Sequence, residues 1–166
     1  MPDGEARSAR ADTRFGQGFL TDAWYVAGLA SDLPPGRLKA LELMGEPVLL
    51  GRGRGGALFG LRDVCPHRAA PLSAGAFHRA ADGTETVQCP YHGWRFGADG
   101  ACTAIPSLTA DQAMDVGRIR VRRYPVADGQ GLLFVWLGSG PASEPDSPPP
   151  VFPGVVDVSL ENGAVD

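Results

Sequence analysis

CPHRAAPLSAG at 65–75 and CPYHGWRF at 89–96 are the stretches that decide how this chain folds and what it can carry. Each opens on a cysteine and follows it with a histidine, as Cys65-x-His67 and Cys89-x2-His92. Twenty-one residues separate His67 from Cys89, and the two pieces use two of the three cysteines and two of the three histidines in the chain. One thiolate and one imidazole on each of two short loops make a metal-ligating set. Pro66 and Pro90 fix φ and stiffen the loops, while Gly93 allows unusual backbone angles or a close approach.

Outward from these loops the pattern is that of short strands. Residues 23–28 (AWYVAG) are aromatic and β-branched, 38–43 alternate, and 47–51 and 57–61 follow across the GRGRGG turn at 51–56. Residues 86–88 lead into the second Cys-His loop, and 94–96 lead out of it to the Asp99-Gly100 turn. Between 118 and 124 Ile119 and Val121 are expected to face inward, with Arg118, Arg120 and Arg122 facing out. Asp128-Gly129-Gln130-Gly131 then turns the chain into LLFVWL at 132–137, a buried strand closing a hairpin. The best helical candidate is 108–115, at most two turns long, where Thr109 and Gln112 have capping-box spacing. Many short strands between Gly/Pro turns argue for an all-β sandwich or small barrel.

The 166 residues fit one domain, with room for a fragment of a second, and a domain of this size buries roughly two-thirds of its unfolded surface without staples. A net charge of −4 gives no electrostatic reason to expect nucleic acid or an anionic membrane as partner. No run approaches the ~20 apolar residues of a membrane span, and no apolar segment of a secretory signal follows Arg7, Arg10 and Arg14. Cys102 reads as a small buried apolar residue. Free thiolates without a disulfide point to a reducing compartment, and the expected location is the cytoplasm. Residues 1–18 are expected to form a disordered arm, and 141–166 a proline-rich linker whose last residues open something further.

The two Cys-His pieces resemble the signature of the N-terminal Rieske [2Fe–2S] domain in the alpha subunits of Rieske non-haem iron oxygenases. AWYVAGLASDL at 23–33, GEPVLL at 45–50 and RRYPVADGQGLLFVWLG at 122–138 extend the resemblance over roughly residues 19–140. Its nearest flavour is the vanillate demethylase-like and related aromatic ring-hydroxylating group. The resemblance implies a Rieske-type fold, an antiparallel β-sandwich or small barrel with a smaller cluster-binding subdomain of two loops at about 62–105. It implies one [2Fe–2S] cluster per chain, with Cys65 and Cys89 on one iron and His67 and His92 on the other. Arg68, Tyr91, Gly93 and Trp94 would surround it, Arg68 and Trp94 packing over the cluster. The spacer is longer than usual in that family, and its extra residues are expected at 78–85 as a hairpin tip carrying His78 on the surface. High-potential Rieske proteins add a disulfide-forming cysteine to each loop and a hydroxyl after the second His-Gly. Ala70, Tyr91 and Trp94 stand at those positions here, so a low-potential cluster is expected.

The resemblance further implies a reductase or ferredoxin as electron donor, and an oxygenase catalytic domain or neighbouring subunit as acceptor, in a homotrimer when full-length. The catalytic half needs a mononuclear iron held by two histidines and a carboxylate. His78 is the one histidine outside the two loops, so these residues cannot build it. The first reading is therefore the Rieske portion of an oxygenase that hydroxylates or O-demethylates aromatic compounds. A stand-alone Rieske-type ferredoxin and a zinc-stabilised binding module are the rivals. The arginines at 118–123 read as a solvated strand face, with docking of an acidic reductase or ferredoxin as the alternative.

Overall fold

The computed structural model describes residues 20–154, apart from 81, 110 and 142; the proposed N-terminal arm and residues 155–166 of the linker lie outside the described residues. The chain folds as eleven short strands among these residues: β1 (Ala23–Leu29), β2 (Arg37–Leu43), β3 (Glu46–Arg52), β4 (Leu58–Arg62), β5 (Ala76–Arg79), β6 (Glu85–Gln88), β7 (Arg95–Phe96), β8 (Cys102–Ala104), β9 (Arg123–Tyr124), β10 (Val126–Gly129) and β11 (Leu132–Leu137). They build three antiparallel sheets, ordered β1-β11-β10, β2-β3-β4-β9 and β5-β6-β7-β8. The all-β expectation holds.

Turn chemistry sets the registers. Met44-Gly45 joins β2 to β3 and Gln130-Gly131 joins β10 to β11, and all four residues have positive φ. Two consecutive left-handed residues match the right-handed twist of a tight hairpin. The first two sheets enclose one core, containing Leu33, Leu43, Val48, Leu50, Tyr124, Leu133, Val135 and Leu137. The third sheet packs over a second core, in which Leu49, Phe59 and Leu61 meet Leu72, Val87, Phe96 and Ile105. Cys65 and Cys89 sit in this second core, so the ligand loops are seated on packed hydrocarbon.

Two elements depart from the sequence reading. The expected strand at 118–124 is broken: Val116–Arg118 is a 3-10 turn, Arg120 makes one isolated bridge to Ala101, and only Arg123–Tyr124 joins a sheet. The inward facing of Ile119 and Val121 survives, because burial alternates even where the ladder does not. Arg122 does not simply face out; it is half-buried and donates to the Gly138 and Gly140 carbonyls. The helix at 108–115 does not form either. Gln112 Oε1 accepts from the Thr109 N–H, as capping-box spacing demands. The turn stops there, since nothing apolar repeats at helical spacing to propagate it.

The proline-rich stretch after β11 crosses the outer face of the β1-β11-β10 sheet. Trp24 Nε1 donates to the Ser147 carbonyl at 2.9 Å, and Gln130 brackets Phe152, accepting its N–H at 2.8 Å and donating to its carbonyl at 3.0 Å.

Candidate metal centre

The first ligand loop leaves β4 and returns at β5; the second joins β6 to β7. Different in sequence, they close in the same way. Cys65 N donates to the Ala70 carbonyl and Ala69 N to the Cys65 carbonyl, at 2.9 and 2.8 Å. Cys89 N donates to the Trp94 carbonyl and Gly93 N to the Cys89 carbonyl, at 2.8 and 3.1 Å. The residue four places after each cysteine, Ala69 or Gly93, is left-handed. Two like-folded loops therefore present their cysteines at matching positions.

The base of each loop is tied by polar side chains. Buried Asp63 accepts from both the N–H and the hydroxyl of Ser73, drawing the two ends of the first loop together. Arg95 Nε donates to Gln88 Oε1 across the register pair that closes the second loop. Gly75 holds the loops against each other: a Cβ there would lie 2.0 Å from the Gln88 carbonyl oxygen, next to Cys89.

Inside and outside differ sharply. Cys65 and Cys89 are buried, whereas His67 and His92 are exposed, their ring centroids 4.7 Å apart. Trp94 stacks on His67 with centroids 4.6 Å apart and planes within 7°, and Tyr91 lies against His92 at 3.8 Å. Burial and then the neighbouring Cys89 raise the Cys65 thiol, while the backbone N–H groups of His67 and Arg68 oppose them by hydrogen-bonding its sulfur. Desolvation first, then His92 and Arg68, holds the His67 imidazole below its usual value, favouring the neutral ligating form.

The four donors thus come as a sulfur pair within and a nitrogen pair without. Among the described residues no three or more His, Cys, Asp or Glu side chains converge on a single ion. Two pairs of unlike softness fit a two-iron cluster bound through sulfur at one end and imidazole at the other. The structure sets Cys65 beside Cys89 and His67 beside His92, with Trp94 on His67, Tyr91 on His92 and Gly93 left-handed in the second loop. Arg68 is exposed, and it offers the site its backbone N–H and its charge.

His78 is not in the hairpin tip. It lies in β5, half-buried and paired with Thr86; the tip is the five-residue connection from 80 to 84. Sequence reasoning passed over Asp63, Ser73 and Ala69. A buried acid two residues before the first cysteine was the one local signal available.

The Rieske [2Fe-2S] domain family matches residues 23–125. Chlorophyllide a oxygenase, chloroplastic, of Chlamydomonas reinhardtii is 38% identical over 152 residues, covering 87% of this chain and 22% of that protein. The putative toluene-4-sulfonate monooxygenase system iron-sulfur subunit of Comamonas testosteroni is 38% identical over 145 residues, covering 87% of this chain and 37% of its own. Among solved structures, apo dicamba monooxygenase superposes with a TM-score of 0.65 at 32% identity, over 80% of this chain and 38% of that one. The oxygenase of carbazole 1,9a-dioxygenase, in its reduced complex with ferredoxin, gives 0.63 at 29% identity, over 75% and 30%. The chain spans between a fifth and two-fifths of the length of these relatives. With its paired loops on an antiparallel β scaffold, the chain belongs to the Rieske [2Fe-2S] domain family.

Proposed function

We propose that Cys65 and Cys89 hold one iron of the Rieske-type cluster and His67 and His92 the other, and that the chain relays single electrons as the Rieske portion of an oxygenase. The separation of buried sulfurs from exposed imidazoles carries this reading. A Rieske cluster supplies a centre that takes up and gives back one electron. The chain's own residues do the rest. The second core keeps water from the sulfur end, and the closed loops hold the donors in place between oxidation states. The exposed imidazoles place the outer end at the surface, where a free ring nitrogen can meet an acceptor's carboxylate.

Several finer readings follow. The donor is a reductase or ferredoxin, which the oxygenase–ferredoxin complex of carbazole 1,9a-dioxygenase supports by likeness. The acceptor is a mononuclear iron in an oxygenase catalytic domain, of the same or a neighbouring subunit of a homotrimer, and the substrate is an aromatic compound. Three unpaired cysteines suit a reducing compartment such as the cytoplasm, and no helix among the described residues is long and apolar enough to cross a membrane.

Purified under anaerobic conditions, the chain should contain two irons and two acid-labile sulfides and, once reduced, show a paramagnetic signal with nitrogen coupling. Zinc in place of iron, with a colourless protein, overturns the reading.

A further inference from the structure

We propose that the outer face of the β1-β11-β10 sheet is a recognition site for an extended proline-rich segment, filled in this chain by its own residues 143–152. The LLFVWL strand turns Leu133, Val135 and Leu137 into the core beneath it, so its alternate residues Phe134 and Trp136 face the other way. Side chains that large on an outer sheet face would ordinarily be half exposed. Phe134 is 1% exposed and Trp136 5%.

The described residues of the segment PASEPDSPPPVFP form no ladder, which six of the segment's residues could not support, lacking an N–H. It is held through what an extended proline-rich chain still offers: outward carbonyls and flat ring edges. Trp24, edge-on to Trp136 at 5.6 Å, donates its indole N–H to the Ser147 carbonyl. Ser143 takes the Trp136 indole N–H at 3.3 Å and gives its own hydroxyl to Asp22 at 2.8 Å. Phe152 stacks on Phe134, 6.4 Å between centroids and 21° between planes. Gln130 reads the Phe152 backbone at both its donor and its acceptor.

Gln130 is also left-handed, at φ 54°, in a tight turn where a residue with Cβ is strained. Its side chain gives that position a use. Aromatic rings that donate an N–H to a peptide carbonyl are the means by which proline-rich ligands are held in general, since such ligands lose little conformational freedom on binding. The ligand class is therefore an extended proline-rich peptide with an aromatic residue after its proline run. The site is independent of the metal centre, being built from different strands and different side chains.

The full-length chain tests this directly. Hydrogen exchange at the Phe152 amide should be at least about tenfold slower than in a synthetic 141–154 peptide, that at the Trp24 indole at least about tenfold slower than in free tryptophan, and Gln130→Ala should remove most of the Phe152 protection. Exchange at the free-peptide rate for Phe152 and at the free-tryptophan rate for Trp24 overturns the proposal. A second variant, with Pro145, Pro148, Pro149 and Pro150 all replaced by glycine, loosens the native occupant in an otherwise intact chain. Added 141–154 peptide should then bind saturably, read by tryptophan fluorescence, and a scrambled peptide should not. No binding, or equal binding of both peptides, also overturns it. Iron content and the visible spectrum should be unchanged throughout, which separates failure here from failure of the cluster assignment.

Discussion

Ala69 and Gly93 hold the same place in two loops of different sequence. Each lies four residues after its cysteine, returns its backbone N–H to that cysteine's carbonyl, and adopts a left-handed backbone, at φ 54° and 72°. Glycine adopts this conformation freely, whereas alanine pays about 1–2 kcal/mol in contacts of its Cβ. Ala69→Gly should relieve that strain, less about 0.5–1 kcal/mol for glycine's greater freedom in the unfolded chain, and so be neutral to mildly stabilising. Gly93→Ala should cost at least about 1 kcal/mol, since its Cβ would also press to 3.2 Å on Pro106 Cγ. Denaturant midpoints followed at the visible band check both; equal destabilisation by the two would show that the loops are not equivalent.

The Asp63–Ser73 tie makes a second prediction. Asp63→Asn keeps the shape but replaces a charged acceptor, and one of its two Ser73 bonds must be lost or weakened. Hydrogen bonds to charged groups contribute about 1.5–3 kcal/mol, so a loss of that order is expected. Because the tie closes the first ligand loop, cluster retention should fall with it. Iron content per chain after desalting measures this, and an unchanged value means the loop is held by its backbone bonds alone.

How far the sequence could be read depended on the range of the interaction. The turn within Asp128–Gly131 and the LLFVWL strand are encoded within a few residues, and the structure has both, with the turn narrowed to Gln130-Gly131. The broken strand at 118–124 escaped because Arg122 finds the Gly138 and Gly140 carbonyls, partners sixteen and eighteen residues away. The docking of 143–152 escaped for the same reason: proline content signals stiffness, but the rings that receive the segment lie on β1 and β11. Thr109 and Gln112 formed their local bond without a helix, so a capping signal without an apolar stripe has little predictive weight.

Trp94 should govern the durability of the site. Its indole lies flat on His67, and stacked aromatic pairs contribute about 0.5–1.5 kcal/mol beyond burial. Trp94→Phe keeps a ring and should retain the cluster with modest loss. Trp94→Ala leaves the imidazole face open to water, and bleaching of the visible band in air should be several-fold faster. If both variants bleach like the parent, the stack has no protective role.

The loop residues also set an expectation for potential. Ala70 offers no hydrogen-bond donor on its side chain, Trp94 occupies the place of a hydroxyl, and the Tyr91 ring is directed onto His92 and 61% exposed. Fewer donors to the cluster leave its added negative charge less stabilised on reduction. The midpoint should fall near the low end of the Rieske range, at about −150 mV, and a titration above roughly +100 mV contradicts this.

In the core that does not contain the ligand cysteines, Tyr124 predicts an alkaline weakness. Its hydroxyl donates to buried Glu46, and burial followed by that carboxylate raises its pKa well above the ordinary 10.0. The folded protein therefore keeps this proton where the unfolded chain has released it. Stability scales with protons bound in the unfolded state minus those in the native state, so it is intact below pH 10 and declines as pH climbs above that value. Tyr124→Phe removes the titrating group and should flatten this alkaline limb. Below pH 10 the same variant should be less stable by about 1–3 kcal/mol, because buried Glu46 loses the hydroxyl that donates to it. Urea midpoints at neutral pH and above pH 10 for both proteins settle it: if the parent and the phenylalanine variant decline in parallel, Tyr124 is not the group responsible.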